Sequence, residues 1–177
     1  MPSRVPRPLS LKARALRWLA QREHSRQELR RKLVRAARLD AASSVAVRPD
    51  VGLPDDEPPK DVGVVVDALL DSLEAAGHLS EQRFVESRIR TRAARFGNRR
   101  IEAEIRQHGL DPGVAAIEDL GGSERQRAHR VWARKFGPSA STDREERARQ
   151  ARFLAARGFG ADTIRDVVQG KAVDASD

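Results

Sequence analysis

The sequence predicts an all-α protein, a tandem array of three three-helix units that forms an elongated, curved molecule. Apolar residues recur three or four positions apart through most of the chain, and no alternating stretch is long enough to indicate a β-strand. The layout of residues 25–33, with apolar residues four apart and basic residues between them, recurs at 97–106 and more loosely at 147–154. Repeated small helical units are typical of extended binding surfaces.

Charge is the second informative property. Only 4% of the 177 residues are aromatic while 34% are charged, which does not indicate a thick single core. The formal net charge is +8 and is uneven: residues 1–40 carry twelve Lys and Arg against three Asp and Glu, whereas 41–77 carry two against eight. This layout favours a polyanionic or acidic partner, although any single arginine could simply solvate an exposed helix face.

Several classes of protein are not indicated. The absence of cysteine excludes disulfides and thiolate metal sites. The start of the chain lacks a signal-peptide pattern, and no apolar run approaches membrane-spanning length. We therefore expect a cytoplasmic protein that does not contact a membrane.

The first unit is predicted over residues 9–77, after a Pro- and Arg-rich tail at 1–8. Its first helix is expected at about 9–22, and Ser25 with Glu28 forms a capping box for the second. Prolines, glycine and an acidic run break the helical pattern at about 40–60, which predicts a flexible insertion into the repeat. A third helix follows at about 61–76, with Gly77 as its stop signal.

The second unit is predicted over residues 80–121. Ser80 is the expected N-cap of a helix that ends at Gly97, and a second helix is expected at about 98–108. Asp111 followed by proline marks the start of a third helix, which reaches about residue 120.

The third unit is predicted over residues 123–170, followed by a tail at 171–177. Its helices are expected from Ser123 to about residue 136, at about 143–157 and at about 162–168. Trp132 and Trp18, the two tryptophans, lie in apolar stripes, which favours core packing over base stacking. Each predicted unit is near the lower size limit for independent folding, so neighbouring units are expected to share core.

The amino-acid sequences of these segments resemble those of the RecX family, whose members regulate the bacterial recombinase RecA. The similarity is densest in ALRWLAQREHSRQELRRKL at 15–33 and continues in LEAAGHLSEQRF at 73–84. GNRRIEAEIRQHG at 97–109 is similar to the second-unit helix of the family, and RKF at 134–136 and LAARGF at 154–159 are similar to its third-unit hallmarks. Asn98, where many members have proline, and Ala156, where a basic residue is common, depart from the pattern.

The resemblance implies a mechanism. Family members bind the RecA–DNA filament across adjacent protomers and limit strand exchange, ATP turnover and coprotease activity in recombination, DNA repair and the SOS response. It therefore implies the RecA filament as partner, with single- or double-stranded DNA as an open second target. Separately, we expect no cofactor and a monomeric protein, although the sequence leaves the oligomeric state open. Arginine forks suit carboxylates on such a filament as well as phosphates of the enclosed DNA.

Twelve basic residues are candidates for contact with the filament or DNA, because they lie on helix faces away from the predicted core or in the family hallmarks. For some, a structural role is the alternative: Glu102 and Glu104 could neutralise the arginines of the second unit, Lys135 could snorkel over core, and Arg157 precedes a helix stop. The candidates are Arg30, Arg31, Arg35, Arg38, Arg99, Arg100, Arg106, Arg127, Arg130, Arg134, Lys135 and Arg157.

We expect no enzyme. The four histidines are scattered without metal-ligand spacing, and no Walker loop, dinucleotide fingerprint or zinc pattern is present. Two alternatives stay open on charge alone. One is a free-standing DNA- or RNA-binding protein, and the other is a repressor that uses residues 25–38 as a recognition helix.

Overall fold

The computed structural model describes residues 9–45, 61–111, 113 and 123–171. The predicted all-α class is confirmed, because these residues form eight helices and no strand. None of the described helices is long and apolar enough to cross a bilayer. The helices are α1 Leu11–Leu19, α2 Arg26–Val45, α3 Val62–Ala75, α4 Glu81–Ala93, α5 Asn98–Arg106, α6 Glu124–Phe136, α7 Arg144–Ala156 and α8 Ala161–Val168.

The chain divides into two compact units, Met1–Phe84 and Val85–Asp177. In the first, α2 packs against both α1 and α3. Most apolar residues that the helical spacing assigns to the interior of α2 and α3 are buried there, whereas Val62 and Leu69 are only partly buried. Val65 is 43% exposed, so its predicted inward placement is wrong. The core of this unit consists of Ala15, Leu29, Leu33, Val66, Leu70, Leu73 and Leu79.

Helix ends in the first unit follow local capping. The Ser10 hydroxyl accepts a hydrogen bond from the Ala13 N–H at 3.2 Å, so α1 begins two residues later than expected and is shorter. The Ser25 hydroxyl accepts from the Glu28 N–H at 3.1 Å, which confirms the predicted cap of α2. α2 then continues to Val45, so the predicted break at about residue 40 is wrong. The residues at 40–45 contain no proline, whereas the first proline of the segment comes at Pro49. The rest of the predicted insertion, 46–60, lies outside the described residues.

In the second compact unit, Val85–Asp177, which we call the second unit from here on, α6, α7 and α8 pack pairwise around a common core. The indole N–H of Trp132 donates to the Gln150 side-chain oxygen at 2.8 Å, and both residues are buried, which confirms the core role of this tryptophan. The helix predicted at 111–120 falls almost wholly outside the described residues. The core residues are Ala128, Val131, Trp132, Leu154, Phe159, Val167 and Val168.

The start of α5 lies directly against the end of α7 within this second unit. The N–H of Gly97 donates to the Arg157 carbonyl at 2.9 Å, and the N–H of Arg99 donates to the Gly158 carbonyl at 3.2 Å. A Cβ atom at Gly97 would lie 2.4 Å from that Gly158 oxygen, so only glycine fits this close backbone approach. Gly158 itself has a φ of +82°, as expected of the predicted helix stop.

One carboxylate fastens this junction. Oε1 of Glu124 accepts from the backbone N–H of Asn98 at 2.8 Å. Its Oε2 accepts from the N–H of Gly160 and from the hydroxyl of Thr163, both at 3.1 Å. Glu124 therefore caps the starts of α5 and α8 together. A proline in place of Asn98 would lack the N–H that the first bond needs.

Candidate partner-binding surfaces

The outer face of α2 presents three of the predicted arginines. Arg31, Arg35 and Arg38 are exposed, while Leu29 and Leu33 on the opposite side of the helix are fully buried. No carboxylate within the described part of the chain pairs with any of the three. Spacings of four and three residues place them in one row, so their charges add on one side of the helix.

Arg30, the fourth predicted residue of α2, has a different role. Its Nε and Nη2 atoms donate to the two carboxylate oxygens of Asp67 on α3, at 2.7 and 3.0 Å. Hydrogen bonding to Arg30 lowers the pKa of Asp67, and the same bond raises the pKa of Arg30. The fork neutralises Arg30 within its own unit, so it contributes little to the open charge of α2.

A shallow groove of about 410 Å³ runs along this face of α2. Val34 and Leu39 supply its apolar surface, and Leu39 is 59% exposed. The basic residues of the groove are the row of three together with Arg30. The first unit therefore offers apolar surface framed by cations.

The arginines of α5 are exposed but partly engaged. Arg106 pairs with Glu102 at 3.1 Å, so for this arginine the alternative interpretation, neutralisation by a glutamate of its own helix, is the one that the structure shows. Arg100 donates to the Ala156 carbonyl at 3.3 Å and lies over the Phe96 ring, with 4.4 Å between its guanidinium carbon and the ring centroid. Arg99 is exposed and has no carboxylate partner among the described residues. Of the three, Arg99 alone keeps an uncommitted guanidinium.

The placement of Arg127 on an exposed face is wrong. Its side chain is only 2% exposed, and it donates to the Phe96 carbonyl at 3.2 Å and to the side-chain oxygen of Asn98. Burial lowers the pKa of Arg127, since removal from water disfavours its charged form. α6 turns this residue toward the carbonyls that follow α4, where a cation satisfies otherwise unpaired acceptors. Arg127 is a structural residue and cannot reach a partner.

Arg134, Lys135 and Arg157 do come together, around a hollow of about 250 Å³ that we call the α6–α7 hollow. Arg95, which the sequence did not single out, completes the set. It follows the end of α4, where helical periodicity assigns no face. Arg130 is exposed on α6 but does not line this hollow. The lining residues are Ala94, Arg95, Val131, Arg134, Lys135, Phe153 and Arg157.

A third basic surface lies between α7 and α8. Arg144, Arg147 and Arg165 surround a groove of about 390 Å³ whose apolar surface comes from residues such as Ile164 and Val168. Arg165 pairs with Asp162 at 2.9 Å. Residues 147–154, the loose third copy of the repeated sequence pattern, supply part of the lining of this groove. That third copy was the signal in the sequence from which the groove could have been predicted.

A buried histidine in the first unit was also missed. Nδ1 of His24 lies 2.9 Å from the Arg22 carbonyl oxygen, and Nε2 lies 3.1 Å from the Lys32 ammonium. A neutral ring that donates from Nδ1 and accepts at Nε2 satisfies both contacts. Burial lowers the pKa of His24 and also that of Lys32, whose ammonium lies 4.3 Å from the centroid of the Trp18 ring. This cluster locks the turn between α1 and α2.

The fold and these surfaces define a class of protein: an all-α chain of small helical units that offers cationic surfaces framing apolar patches. Within the described residues, no group of three or more acidic or histidine side chains could hold a metal ion.

Comparisons with known proteins specify the class. Family models of RecX match this chain twice, the second three-helix domain at residues 80–117 and the third at 123–168. Proteins named regulatory protein RecX are similar over almost the full length. The one from Herminiimonas arsenicoxydans is 46% identical over 92% of this chain and 93% of its own, and the one from Ralstonia nicotianae is 43% identical over 94% and 91%.

The fold is shared with a solved structure. The crystal structure of RecX from Lactobacillus salivarius aligns with a TM-score of 0.57 at 16% identity, covering 90% of this chain and 92% of that one. The chain belongs to the RecX family, and the resemblance drawn from its sequence is confirmed.

Proposed function

We propose that this protein binds the RecA–DNA filament and mainly inhibits its recombinase, ATPase and coprotease activities. Family membership supports RecA as the partner, because relatives at 43% and 46% identity are named regulatory protein RecX. The observation that carries the proposal is the set of exposed or half-buried cations, in both units, that no described carboxylate neutralises. Arg31, Arg35 and Arg38 form one group, and the cations of the α6–α7 hollow form another.

The physical advantage of this design is summation. Each surface is shallow, so a single contact would be weak. A chain of small helical units that acts as a monomer along a polymer can engage several subunits, and each further contact is then intramolecular. Exposed guanidinium groups contribute mainly to encounter and orientation, because charge attraction in water is screened by salt.

The test is RecA-dependent ATP hydrolysis on single-stranded DNA, titrated with this protein. We expect inhibition at protein concentrations well below that of RecA. Unchanged ATP hydrolysis and strand exchange at equimolar protein would refute the proposal.

A charge variant identifies the surface. Arg31→Gln with Arg35→Gln should weaken inhibition without changing the melting temperature, since both residues are exposed and unpaired among the described residues. A matched control is Arg149→Gln with Lys171→Gln, which removes the same charge from exposed basic residues that are already paired with Glu146 and Asp166 and line none of the basic surfaces. Equal loss of inhibition in both variants would show that only net charge matters.

Nucleic-acid binding without RecA is the competing outcome. A free-standing DNA- or RNA-binding protein would bind oligonucleotides tightly on its own. That affinity would fall by about 10³–10⁵-fold between roughly 50 and 200 mM salt if about 6–10 phosphates were contacted. Weak binding under these conditions, together with inhibition of RecA, would separate the two functions.

A further inference from the structure

The α6–α7 hollow concentrates more positive charge than its own unit balances. Arg134 and Lys135 lie in the last turn of α6, Arg157 caps the end of α7, and Arg95 follows α4. Cations are favourable at helix C-termini, which accounts for the individual positions. It does not account for four of them around one hollow, because like charges so close repel. No described carboxylate forms an ion pair with any of the four.

The floor of the hollow is apolar. Ala94, Val131 and Phe153 line it, and Val131 is almost fully buried. The guanidinium carbon of Arg157 lies 3.8 Å from the centroid of the Phe153 ring, and Phe136 packs against the same ring at 5.0 Å in a T-shaped arrangement. Phe153 is therefore engaged on its own protein and does not offer the open stacking platform that single-stranded nucleic acid uses.

Size limits the ligand further. A volume of about 250 Å³ falls below the roughly 300–1,000 Å³ of small-molecule and cofactor pockets. It is large enough for one apolar side chain whose neighbours remain at the rim. A phosphodiester backbone would satisfy the cations but would leave the apolar floor without a partner.

We propose that the α6–α7 hollow is a docking site for a short acidic segment of a partner protein that inserts one aromatic or aliphatic side chain. Carboxylates flanking that side chain pair with the four cations, and the side chain packs against Ala94 and the remaining accessible surface of Val131 and Phe153. The inference rests on the proposed function, in which the segment belongs to the protein component of the filament. It assigns this surface to protein and not to DNA.

The first experiment measures binding to the full-length protein without RecA. The probe is a fluorescein-labelled peptide with a central phenylalanine between two acidic pairs, Asp-Glu-Phe-Glu-Asp. The same peptide with serine at the centre has equal charge, and an oligothymidylate supplies phosphates. We expect the phenylalanine peptide to bind about 10- to 100-fold more tightly than the serine peptide, from burial of one large apolar side chain. Equal affinities for the two peptides would overturn the proposal.

The second experiment fills the hollow without removing charge. Ala94→Leu places extra carbons at an exposed position of the lining and leaves all four cations in place. We expect about a tenfold or greater loss of phenylalanine-peptide affinity and unchanged oligothymidylate binding. Ala155→Leu, at an exposed position of α7 that does not line the hollow, is the matched control. Arg134→Gln tests the rim independently and should weaken both peptides.

The outcomes separate this inference from the proposed function. If Ala94→Leu leaves peptide affinity unchanged, the peptide binds elsewhere and the inference is wrong. If oligothymidylate displaces the serine peptide but not the phenylalanine peptide, and Arg134→Gln weakens oligothymidylate binding, the hollow is a phosphate site and the inference is also wrong. If Ala94→Leu abolishes peptide binding and also weakens inhibition of RecA ATP hydrolysis, both are supported. Full inhibition by a variant that no longer binds peptide would sustain the proposed function and reject the docking role.

Discussion

Removing the Glu124 carboxylate should destabilise the second unit more than any exposed charge change. Its two oxygens accept three hydrogen bonds, from Asn98, Gly160 and Thr163, between 2.8 and 3.1 Å. A hydrogen bond to a charged group contributes about 1.5–3 kcal/mol, but bonds that share one acceptor group do not add fully. We expect Glu124→Ala to lower the free energy of unfolding of this unit by about 3 kcal/mol.

The assay is thermal unfolding followed by circular dichroism, with urea unfolding for the free energy. A loss of about 3 kcal/mol corresponds to a fall in Tm of about 12–24 °C for a unit of this size. Glu145→Ala is the control, since this exposed glutamate lies in the equivalent first turn of α7 and should change stability by less than about 0.5 kcal/mol. A Glu124→Ala protein as stable as this control would refute the assignment of Glu124 as the clamp between α5 and α8.

Three further perturbations test the packing and the buried histidine. Gly97→Ala should cost about 3 kcal/mol, because its Cβ would lie 2.4 Å from the Gly158 oxygen. Its φ of −81° suits alanine, so near-normal stability in urea unfolding would show that the backbones can separate. Leu33→Ala should cost about 2–5 kcal/mol, because this side chain is completely buried. Leu39→Ala, at a position 59% exposed, should stay within about 0.5 kcal/mol, and similar losses in the two variants would mean that the buried side of α2 is misassigned. Burial lowers the pKa of His24 below its ordinary 6.5, so its contribution is present above that pH and is lost as the pH falls below it. The slope of stability against pH just below 6.5 should be smaller in His24→Gln, and an identical slope would exclude His24 as its source.

The elements that the sequence predicted well are those determined locally. The Ser25 and Ser80 caps require only a hydroxyl three residues before a backbone N–H, and both bonds form. The burial of Leu29 and Ile101 follows from helical spacing, since each lies on the apolar stripe of its helix. Family membership followed from several sequence motifs, because their order along the chain and the number of residues between them can be read directly from the sequence.

The errors arose where a second segment decides the outcome. A helical wheel placed Arg127 outside because it cannot show that α6 packs against the carbonyls after α4. The same limitation hid Arg95, which belongs to the α6–α7 hollow only through the packing of three segments. The partnership of Arg30 with Asp67 likewise joins residues 37 positions apart.

The two tryptophans give each unit its own fluorophore. Trp18 belongs to the first unit, half-buried under the Lys32 ammonium, whereas Trp132 is 1% exposed in the core of the second. Replacing either one with phenylalanine leaves a single emitter whose spectrum reports one unit. Separate unfolding transitions for the two single-emitter proteins would then show whether the units melt independently, without any added label.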